Sequence, residues 1–281
     1  MLFNRQKLLL SLINALNDRK IYSRRAIVKS LFLLKTEYFL DSKIKFYNFF
    51  PYKQGPFSQL CFSDLRKLKR EGLINADERT ITDKGSTYIK ELTSIFGGDI
   101  NHLLGRFSSE KEITSFVYAH YPQYTQKSEL LPRKDSAAPS KGYFTVGYEG
   151  RDIDTFLDLL IQNNISMIID VRRNPFSMNF CYTKKNLQKF LKDAGIEYVH
   201  IKELGVASED RINLRCKEDY EALFSRYRDS LGQKQPYLDK VLKLGKNNRI
   251  AILCFEHDSA SCHRREIAVY LRKCGCDVRN L

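Results

Sequence analysis

The sequence predicts an α/β fold in which a mostly helical, winged-helix-like domain precedes a Rossmann-like domain with a parallel sheet. Three observations predict this arrangement. Apolar residues recur at helical spacing near the N-terminus, strand-like and helical stretches alternate after residue 143, and a proline- and serine-containing stretch lies between the two patterns. We therefore expect a first domain over residues 1–120, a linker over 121–142 and a second domain over 143–281.

The composition indicates a globular protein. The chain has 281 residues, 43% hydrophobic and 12% aromatic, so two cores can form and general disorder is excluded. No apolar stretch approaches the roughly 20 residues that a transmembrane helix needs. Charges interrupt the N-terminal apolar pattern and no small-residue cleavage site follows it, so we expect no signal peptide. Seven cysteines, an odd number, favour reduced thiols and a cytoplasmic location over a disulfide framework.

The charge balance points to a polyanionic partner. The formal net charge is +14; residues 1–140 hold 23 Lys and Arg against 14 Asp and Glu, and residues 141–281 hold 24 against 19. Nucleic acid, double-stranded DNA in particular, is the expected partner, and an anionic membrane surface is the lesser candidate. The alternative is a protein that is basic without such a partner. Nothing in the charge predicts an oligomeric state.

The first domain is predicted to begin with three helices. Five apolar residues at helical spacing predict the first: Leu8, Leu9, Leu12, Ile13 and Leu16. Ser23 suits the N-cap of a second helix. A third fits residues 56–70, because proline suits a first turn and Gly72 can close the helix. The stretch NADERTITDKG then predicts a hairpin.

Helix, helix, helix and hairpin is the order of a winged helix. The stretch FFPYKQGPFS with the following DLRKL and GLI also resembles a domain of phage-associated and antitoxin-like bacterial proteins, over roughly residues 5–95. We expect the third helix and its surroundings to contact DNA through Lys53, Ser58, Arg66, Lys67, Lys69 and Arg70. A protein-binding module or an ordinary solvated basic face is the alternative.

The second domain alternates strands with helices. Strands are predicted at 144–148, 166–171, 197–201 and 249–255, and helices at 152–164, 183–194, 220–230, 236–244 and 262–275. Such alternation favours a parallel sheet with helices on both faces. Ligands of such sheets bind beyond the carboxyl ends of the strands, where this chain collects ionisable residues. These are Tyr148 and Glu149; Asp170, Arg172 and Arg173; His200; and Cys254, Glu256 and His257.

Four motifs, TVGYEG, IIDVRRNPFS, EYVHIKELG and LCFEHDSASCHRREIA, together resemble the domain of unknown function 488 family over about residues 143–281. The family pattern falls on Gly147, Tyr148, Asp170, Arg172, Pro175, Ser177, Tyr198, His200, Leu204, Gly205, Cys254, Glu256, Cys262, His263 and Arg264. The family often has a second glycine after Leu-Gly, where this chain has Val206. A fainter similarity links IIDVR and the loop after Cys254 to rhodanese-like domains.

Three kinds of chemistry suit the strand ends. Cys254, His257, Cys262 and His263 have the atom types of a zinc site, but adjacent side chains are expected to diverge at a helix start, so no metal and no cofactor is predicted. Cys254 could serve sulfur or phosphate transfer, or simply be a buried strand residue, since nearby carboxylates oppose a thiolate.

The favoured hypothesis assigns the chemistry to the carboxylates. We expect a catalytic group of Asp170, Glu256, Arg172, Arg264, His263 and Tyr148, and substrate contacts from Ser177, Tyr198, His200, Cys254 and Cys262. A carboxylate can activate water or stabilise a sugar cation while arginines hold phosphates. The alternative is that Asp170–Arg172 and Glu256–Arg264 are structural ion pairs.

The favoured function is a DNA-binding protein whose second domain processes nucleic acid, with a glycosylase-type hydrolase acting on bases in phage defence as the specific expectation. Two rivals stay open. One is a transcription regulator with a nucleotide-like ligand, and the other is a toxin–antitoxin partner that uses the first domain as an adaptor.

Overall fold

A computed structural model describes residues 2–131, 141–207, 209–211 and 216–281. The chain forms two compact units, Met1–Arg133 and Lys134–Leu281. Residues 121–131, which the sequence assigns to a linker, pack with the first unit. There the rings of Tyr121 and Tyr124 lie 5.0 and 4.7 Å from that of Phe32. The remainder of the predicted linker at 132–140 lies outside the described residues.

The first unit is helical around one apolar core. Its elements are α1 (Asn4–Asp18), α2 (Arg24–Thr36), β1 (Phe50–Tyr52), β2 (Gly55–Phe57), α3 (Gln59–Arg70), α4 (Asp83–Ser86), α5 (Lys90–Gly105) and α6 (Glu110–His120). Ser23 caps α2 as predicted, because its hydroxyl accepts a hydrogen bond from the N–H of Ala26.

The third helix starts three residues later than predicted. Pro56 pairs with Pro51 in the antiparallel β1–β2 hairpin, so α3 begins at Gln59, with Ser58 as its N-cap. Gly72 follows the helix with φ +69°, a conformation that favours glycine. The predicted hairpin is present as an antiparallel bridge between Ile74 and Ile81. The helix and hairpin order therefore exists, with β1–β2 added, while the winged-helix resemblance itself stays a prediction.

A buried polar network ties α1 to α3. Asp64 accepts hydrogen bonds from Arg5 Nε (2.8 Å), Gln6 Nε2 (2.6 Å) and Tyr47 Oη (3.1 Å). Burial, followed by the nearby Cys61 and Asp64, raises the pKa of the Tyr47 hydroxyl. Because Asp64 lies on α3, this network fixes how that helix is seated on the core.

The second unit is a Rossmann-like α/β domain, as predicted. Its strands are β3 (Gly142–Gly147), β4 (Met167–Asp170), β5 (Glu197–His200), β6 (Arg249–Cys254) and β7 (Val278–Asn280). They form a parallel sheet in the order β5-β4-β6-β3-β7. The sequence did not predict β7, which pairs with β3 at the sheet edge.

Helices cover the sheet. They are α7 (Ile153–Gln162), α8 (Lys184–Asp193), α9 (Lys217–Ser230), α10 (Gln235–Asn247) and α11 (Arg264–Lys273). Met167 and Ile169 of β4 join a core with residues of α9, α10 and α11, whereas the intervening Ile168 points to the other face. Among the described residues, no helix combines the length and apolar character that crossing a membrane requires.

Candidate functional site

The carboxyl edge of the sheet brings the predicted residues of four strands together. The N–H groups of Tyr148 and Glu149, after β3, both donate to the carbonyl of Phe255, after β6. The N–H of Val171, after β4, donates to the carbonyl of Leu253 in β6. This convergence follows from the parallel sheet, as the sequence predicts. Two polar clusters lie at this edge of the sheet, and they differ in whether their polar atoms have hydrogen-bond partners.

The first cluster centres on Asp170, whose side chain is fully buried. Arg172 donates to Asp170 Oδ1 from its backbone N (3.0 Å) and Nε (2.9 Å), and to Oδ2 from Nη2 (2.6 Å). Tyr198 Oη donates to Oδ2 as well, at 2.7 Å. A carboxylate offers about four lone-pair sites, so this one has no acceptor capacity left for a substrate or water.

This network raises the pKa values of Arg172 and Tyr198. Burial opposes the charge of Arg172, but the hydrogen bonds and charge of Asp170 outweigh it and raise the pKa of the guanidinium. Burial, followed by the charge and hydrogen bond of Asp170, raises the pKa of the Tyr198 hydroxyl. Asp170, Arg172 and Tyr198 thus form an ion-pair network of the kind that the alternative interpretation describes, while the catalytic role of Asp170 and Arg172 and the substrate contact of Tyr198 stay predictions.

Tyr148 is also committed to packing. It is buried, its ring stacks on Tyr182 at 4.1 Å, and its hydroxyl accepts a hydrogen bond from Arg172 Nη1 at 3.0 Å. Tyr182 completes the cluster, because its carbonyl accepts from Arg172 and its hydroxyl donates to the carbonyls of Arg151 and Asp152. Sequence reasoning missed Tyr182, which lies in a short 3-10 helix (Phe180–Tyr182) before α8.

His200 closes the outer side of this cluster. Lys184 Nζ lies 3.2 Å from His200 Nδ1, and His200 Nε2 lies 2.9 Å from the carbonyl of Arg172. Because an ammonium group only donates, Nδ1 is the acceptor and Nε2 carries the proton. Ser177 lies in the loop after β4 and accepts a hydrogen bond from the N–H of Asn179. The same loop exposes three large apolar side chains: Phe176, Met178 and Phe180.

The second cluster comprises Cys254, Glu256, Cys262 and His263. Cys254 Sγ donates to Glu256 Oε2 at 3.1 Å and lies 3.6 Å from His263 Nδ1, while Cys262 Sγ lies 3.8 Å from the same nitrogen. Both cysteines and the histidine are buried. Burial raises the pKa of Glu256, but hydrogen bonds from Cys262 and Cys254 outweigh it and lower that pKa overall.

The expectation that Cys262 and His263 diverge is wrong. One ligand-type atom from each of Cys254, Cys262 and His263 lies within 4.8 Å of the others. The cause is a change of backbone conformation, since Cys262 is extended (φ −136°, ψ 140°) and His263 is helical (φ −57°, ψ −21°). This change turns two consecutive side chains toward one point.

Arg264 and Gly147 hold the loop that carries Glu256. Buried Arg264 donates from Nη1 to the carbonyl of Glu256 (2.5 Å) and from Nη2 to that of His257 (2.9 Å). A Cβ at position 147 would lie 1.8 Å from the carbonyl oxygen of Glu256, so only glycine allows this approach. Arg264 thus positions the loop through two carbonyls, not through the ion pair with the Glu256 carboxylate that the alternative interpretation describes, and its catalytic role stays a prediction.

A cavity of about 210 Å³ adjoins the second cluster. Its walls are Val206, Tyr220, Leu223, Phe224, Glu256, Ser261 and His263. Among the residues that the structure describes, His263 Nε2 is a buried polar atom without a hydrogen-bond partner. The sequence predicted Glu256 and His263 but not the wall from α9, because amphipathic spacing there indicates only a helix.

Comparison with known proteins agrees with the last three of the four motifs, and the first, TVGYEG, lies just before the matched residues. Residues 152–271 match the family model described as Domain of unknown function DUF488. The second unit contains a DUF488 domain. The match spans from just before α7 to within α11, so it includes the second cluster and all of the first except Tyr148. No curated protein and no solved structure matches the chain.

The residues expected to bind nucleic acid in the first unit divide into two groups. Arg66, Lys69 and Arg70 line a surface hollow of about 500 Å³ together with Arg24, Phe62 and Glu78. Glu78 pairs with Arg24 (2.7 Å) and lies 3.5 Å from Lys69. This basic hollow, as we name it, keeps the exposed guanidinium groups of Arg66 and Arg70 on one face.

The side chains of the other three residues are less available for contact with nucleic acid. Lys53 pairs with Glu129 at 3.1 Å, and Lys67 lies 3.9 Å from Glu71 and beside the ring of Phe3. Ser58 is fully buried and its hydroxyl accepts from the N–H of Cys61. The prediction that Ser58 contacts nucleic acid is corrected accordingly, because a buried helix cap cannot reach a phosphate.

Proposed function

We propose that this protein binds DNA through its first unit and that its DUF488 domain is a hydrolase acting on a nucleobase, by cleavage of the N-glycosidic bond. The observation that carries the proposal is the cavity where Glu256 and His263 meet the aromatic side chains of Tyr220 and Phe224. Pockets for drug-sized ligands measure about 300–1,000 Å³. A cavity of about 210 Å³ therefore suits a single ring system better than a whole nucleotide.

The walls of the cavity match the two needs of such a reaction. Aromatic side chains stack on the faces of bases that have left the duplex. A carboxylate can take a proton from water as the water attacks the sugar carbon. Glu256 is the carboxylate in this position, and the hydrogen bonds of Arg264 to its loop keep it there.

Cations near the cavity can hold the flanking phosphates. Lys234 Nζ lies 4.5 Å from the ring centroid of Tyr227, whose ring in turn contacts His263. Burial, followed by the positive charge of Arg173, lowers the pKa of Lys234, so two cations lie close together. An anion placed between them would relieve their repulsion.

The reaction is tested with the full chain and native phage DNA beside unmodified DNA. Mass spectrometry of the supernatant detects released bases, and heating in alkali reveals abasic sites. We expect Glu256→Gln to lower base release by about 10²–10⁴-fold, the contribution typical of a general base. Glu197→Gln, at the exposed amino end of β5, is the matched control and keeps full activity.

Two results would contradict the proposal. Base release by Glu256→Gln at the control's rate would remove Glu256 from the chemistry. Intact DNA in every substrate, together with an affinity for DNA that changes when a nucleotide is added, would favour the regulator.

DNA binding by the first unit is tested separately. Arg66→Ala with Arg70→Ala removes two exposed cations of the basic hollow, so we expect weaker binding and a slope of log K against log [salt] that is smaller by about 2. Lys127→Ala with Lys202→Ala matches the charge change elsewhere. Equal slopes for both pairs would exclude the basic hollow as the DNA contact.

A further inference from the structure

We propose that Cys254, Cys262 and His263 bind a zinc ion beside the cavity that His263 and Glu256 line. The metal site stands on the geometry alone. Its use in catalysis rests on the function proposed above.

The spacing of the three side chains fits zinc. Bonds of about 2.3 Å to sulfur and about 2.0–2.1 Å to nitrogen, at tetrahedral angles, separate ligand atoms by roughly 3.5–3.8 Å. The distances from His263 Nδ1 to Cys254 Sγ and Cys262 Sγ are 3.6 and 3.8 Å. Both sulfur-to-nitrogen distances therefore match those of a tetrahedral zinc site, and the two sulfurs lie within 4.8 Å of each other.

The chemistry of the donors fits as well. Two sulfurs and one imidazole nitrogen are soft and borderline ligands that favour zinc over magnesium or calcium. Cys254 and Cys262 are 1% and 0% exposed, so neither thiol is open to attack by a bulky substrate, which disfavours sulfur transfer. Binding would release the two thiol protons to solvent.

The fold holds this arrangement in advance. Cys254 ends a central strand, and Cys262 and His263 enter α11 through the conformational change described above. Arg264, the next residue, ties the intervening loop back through two carbonyls. With Nδ1 facing the sulfurs, the proton of the neutral imidazole lies on Nε2, and this buried nitrogen has no partner among the described residues. It is free to donate to a ligand in the cavity that His263 lines.

Three protein ligands are the number that catalytic zinc sites use, because they leave a position for water. Glu256 Oε2 is 3.1 Å from Cys254 Sγ, and Glu256 lines the cavity. One histidine, two cysteines and a glutamate that is not a ligand form the set with which zinc deaminases act on nucleobases. In the proposed step Glu256 takes one proton from water, and the hydroxide bonds to the sugar carbon C1′. The bond between C1′ and the base nitrogen breaks, its electron pair leaves on that nitrogen, and the proton from Glu256 passes to the released base.

Zinc binding is measured on the full chain, without reference to activity. Protein produced with added zinc is analysed by mass spectrometry of the elements, and we expect about one zinc ion per chain. Replacement by Co²⁺ should give a thiolate-to-cobalt charge-transfer band and the visible bands of a tetrahedral site. Cys262→Ser should lose most of the zinc, whereas Cys216→Ser and Cys274→Ser, which alter exposed thiols, should keep it.

Each of the following outcomes tests the metal site. Wild-type protein without zinc, or a cobalt spectrum without the charge-transfer band, overturns the site, and so does zinc loss in the two control variants. If Cys262→Ser does not fold, the wild-type cobalt spectrum and its loss on adding a chelator decide instead.

Glu256→Gln separates the two proposals, because it should keep zinc and lose activity. Zinc-loaded wild-type protein that neither releases nor deaminates bases would end the proposed function and leave the metal site intact. Activity of the metal-free protein would show that the reaction does not need zinc, and it would leave the proposed function intact.

Discussion

The two polar clusters at the carboxyl edge of the sheet differ in one respect, namely whether their polar atoms have partners. In the Asp170 cluster the carboxylate accepts hydrogen bonds on both oxygens from Arg172 and Tyr198 and is fully buried. In the Cys254 cluster two thiols and Glu256 converge beside a cavity, and His263 Nε2 has no partner among the described residues. The carboxylate of the Asp170 cluster has no acceptor capacity left for a ligand. In the Cys254 cluster, by contrast, His263 Nε2 can still donate a hydrogen bond to one.

This difference separates structure from function among residues of the same chemical types. A buried ion pair whose hydrogen bonds are complete fixes the positions of its strands. Donors and acceptors that remain incomplete at a cavity cost stability, and such sites are where proteins place reactive chemistry. The family pattern covers residues of both clusters, so the pattern alone does not distinguish them.

The largest effect is expected from Asp170→Ala. The change leaves Arg172 buried without its carboxylate, and breaking a buried pair in this way costs about 3–5 kcal/mol of the free energy of unfolding. Hydrogen exchange in peptides containing β4 measures the loss for this unit. Asp170→Ala combined with Arg172→Met should recover part of it, and Glu256→Gln should cost less than about 1 kcal/mol. Similar losses for Asp170→Ala and Glu256→Gln would remove the contrast between the clusters.

A smaller effect is expected at Gly147, which lies against the loop that carries Glu256. Gly147→Ala places a methyl group against the carbonyl of Glu256 and displaces that residue, so activity should fall by about 10²-fold. Gly232→Ala meets no atom within 4 Å and is the matched control. Initial rates of base release from duplex substrate compare the two variants. Unchanged activity of Gly147→Ala would show that the loop is not held where the chemistry needs it.

The first unit contains a buried cation that sharpens the contrast with Arg172. Lys29 is 1% exposed and donates to the carbonyl of Gln54, while Glu110 pairs with Arg25. Burial and the charge of Arg25 lower the pKa of Lys29 from 10.5 to about 8. The unfolded chain therefore binds more protons between pH 8 and 10.5, and stability rises with pH across that window.

Removal of this charge should stabilise the first unit. At pH 7 we expect Lys29→Met to increase the free energy of unfolding by roughly 1–3 kcal/mol, because the charged form is disfavoured in the fold. The gain should shrink as the pH approaches 10.5. Hydrogen exchange in peptides containing α2, measured at both ends of the window, checks this. A gain that is independent of pH would show that Lys29 is not neutralised within it.

An effect similar in size to that of Lys29→Met is expected from Tyr198→Phe, which removes one of the hydrogen bonds to Asp170. A hydrogen bond to a charged group contributes about 1.5–3 kcal/mol, and a neutral one about 1 kcal/mol. Tyr143→Phe, which removes a hydrogen bond to the carbonyl of Leu242, provides the neutral comparison. Urea titrations followed by far-ultraviolet circular dichroism compare the two variants. A smaller loss of unfolding free energy for Tyr198→Phe than for Tyr143→Phe would contradict the stronger, charge-assisted hydrogen bond between Tyr198 and Asp170.

The sequence predicted the parallel sheet because strand and helix periods alternate clearly, and it predicted the meeting of residues from four strands because parallel topology requires it. It could not predict that Tyr198 and Arg172 complete the shell of Asp170, since hydrogen-bond geometry leaves no trace in spacing. The convergence of Cys262 and His263 depends on backbone angles of single residues. The short strands β1 and β7 were missed for simpler reasons, because Pro51 and Pro56 argue against a hairpin and three residues form no pattern.

The cavity is enclosed by two walls with different tolerance to change. On the loop side, a single added methyl group at Gly147 has no room, and the backbone is tied by Arg264. On the α9 side, the lining comes from Tyr220, Leu223 and Phe224, three residues of one helix. Substrate preference can therefore diverge between relatives through α9 while the chemistry stays the same. Libraries that aim at new specificities should randomise that helix first.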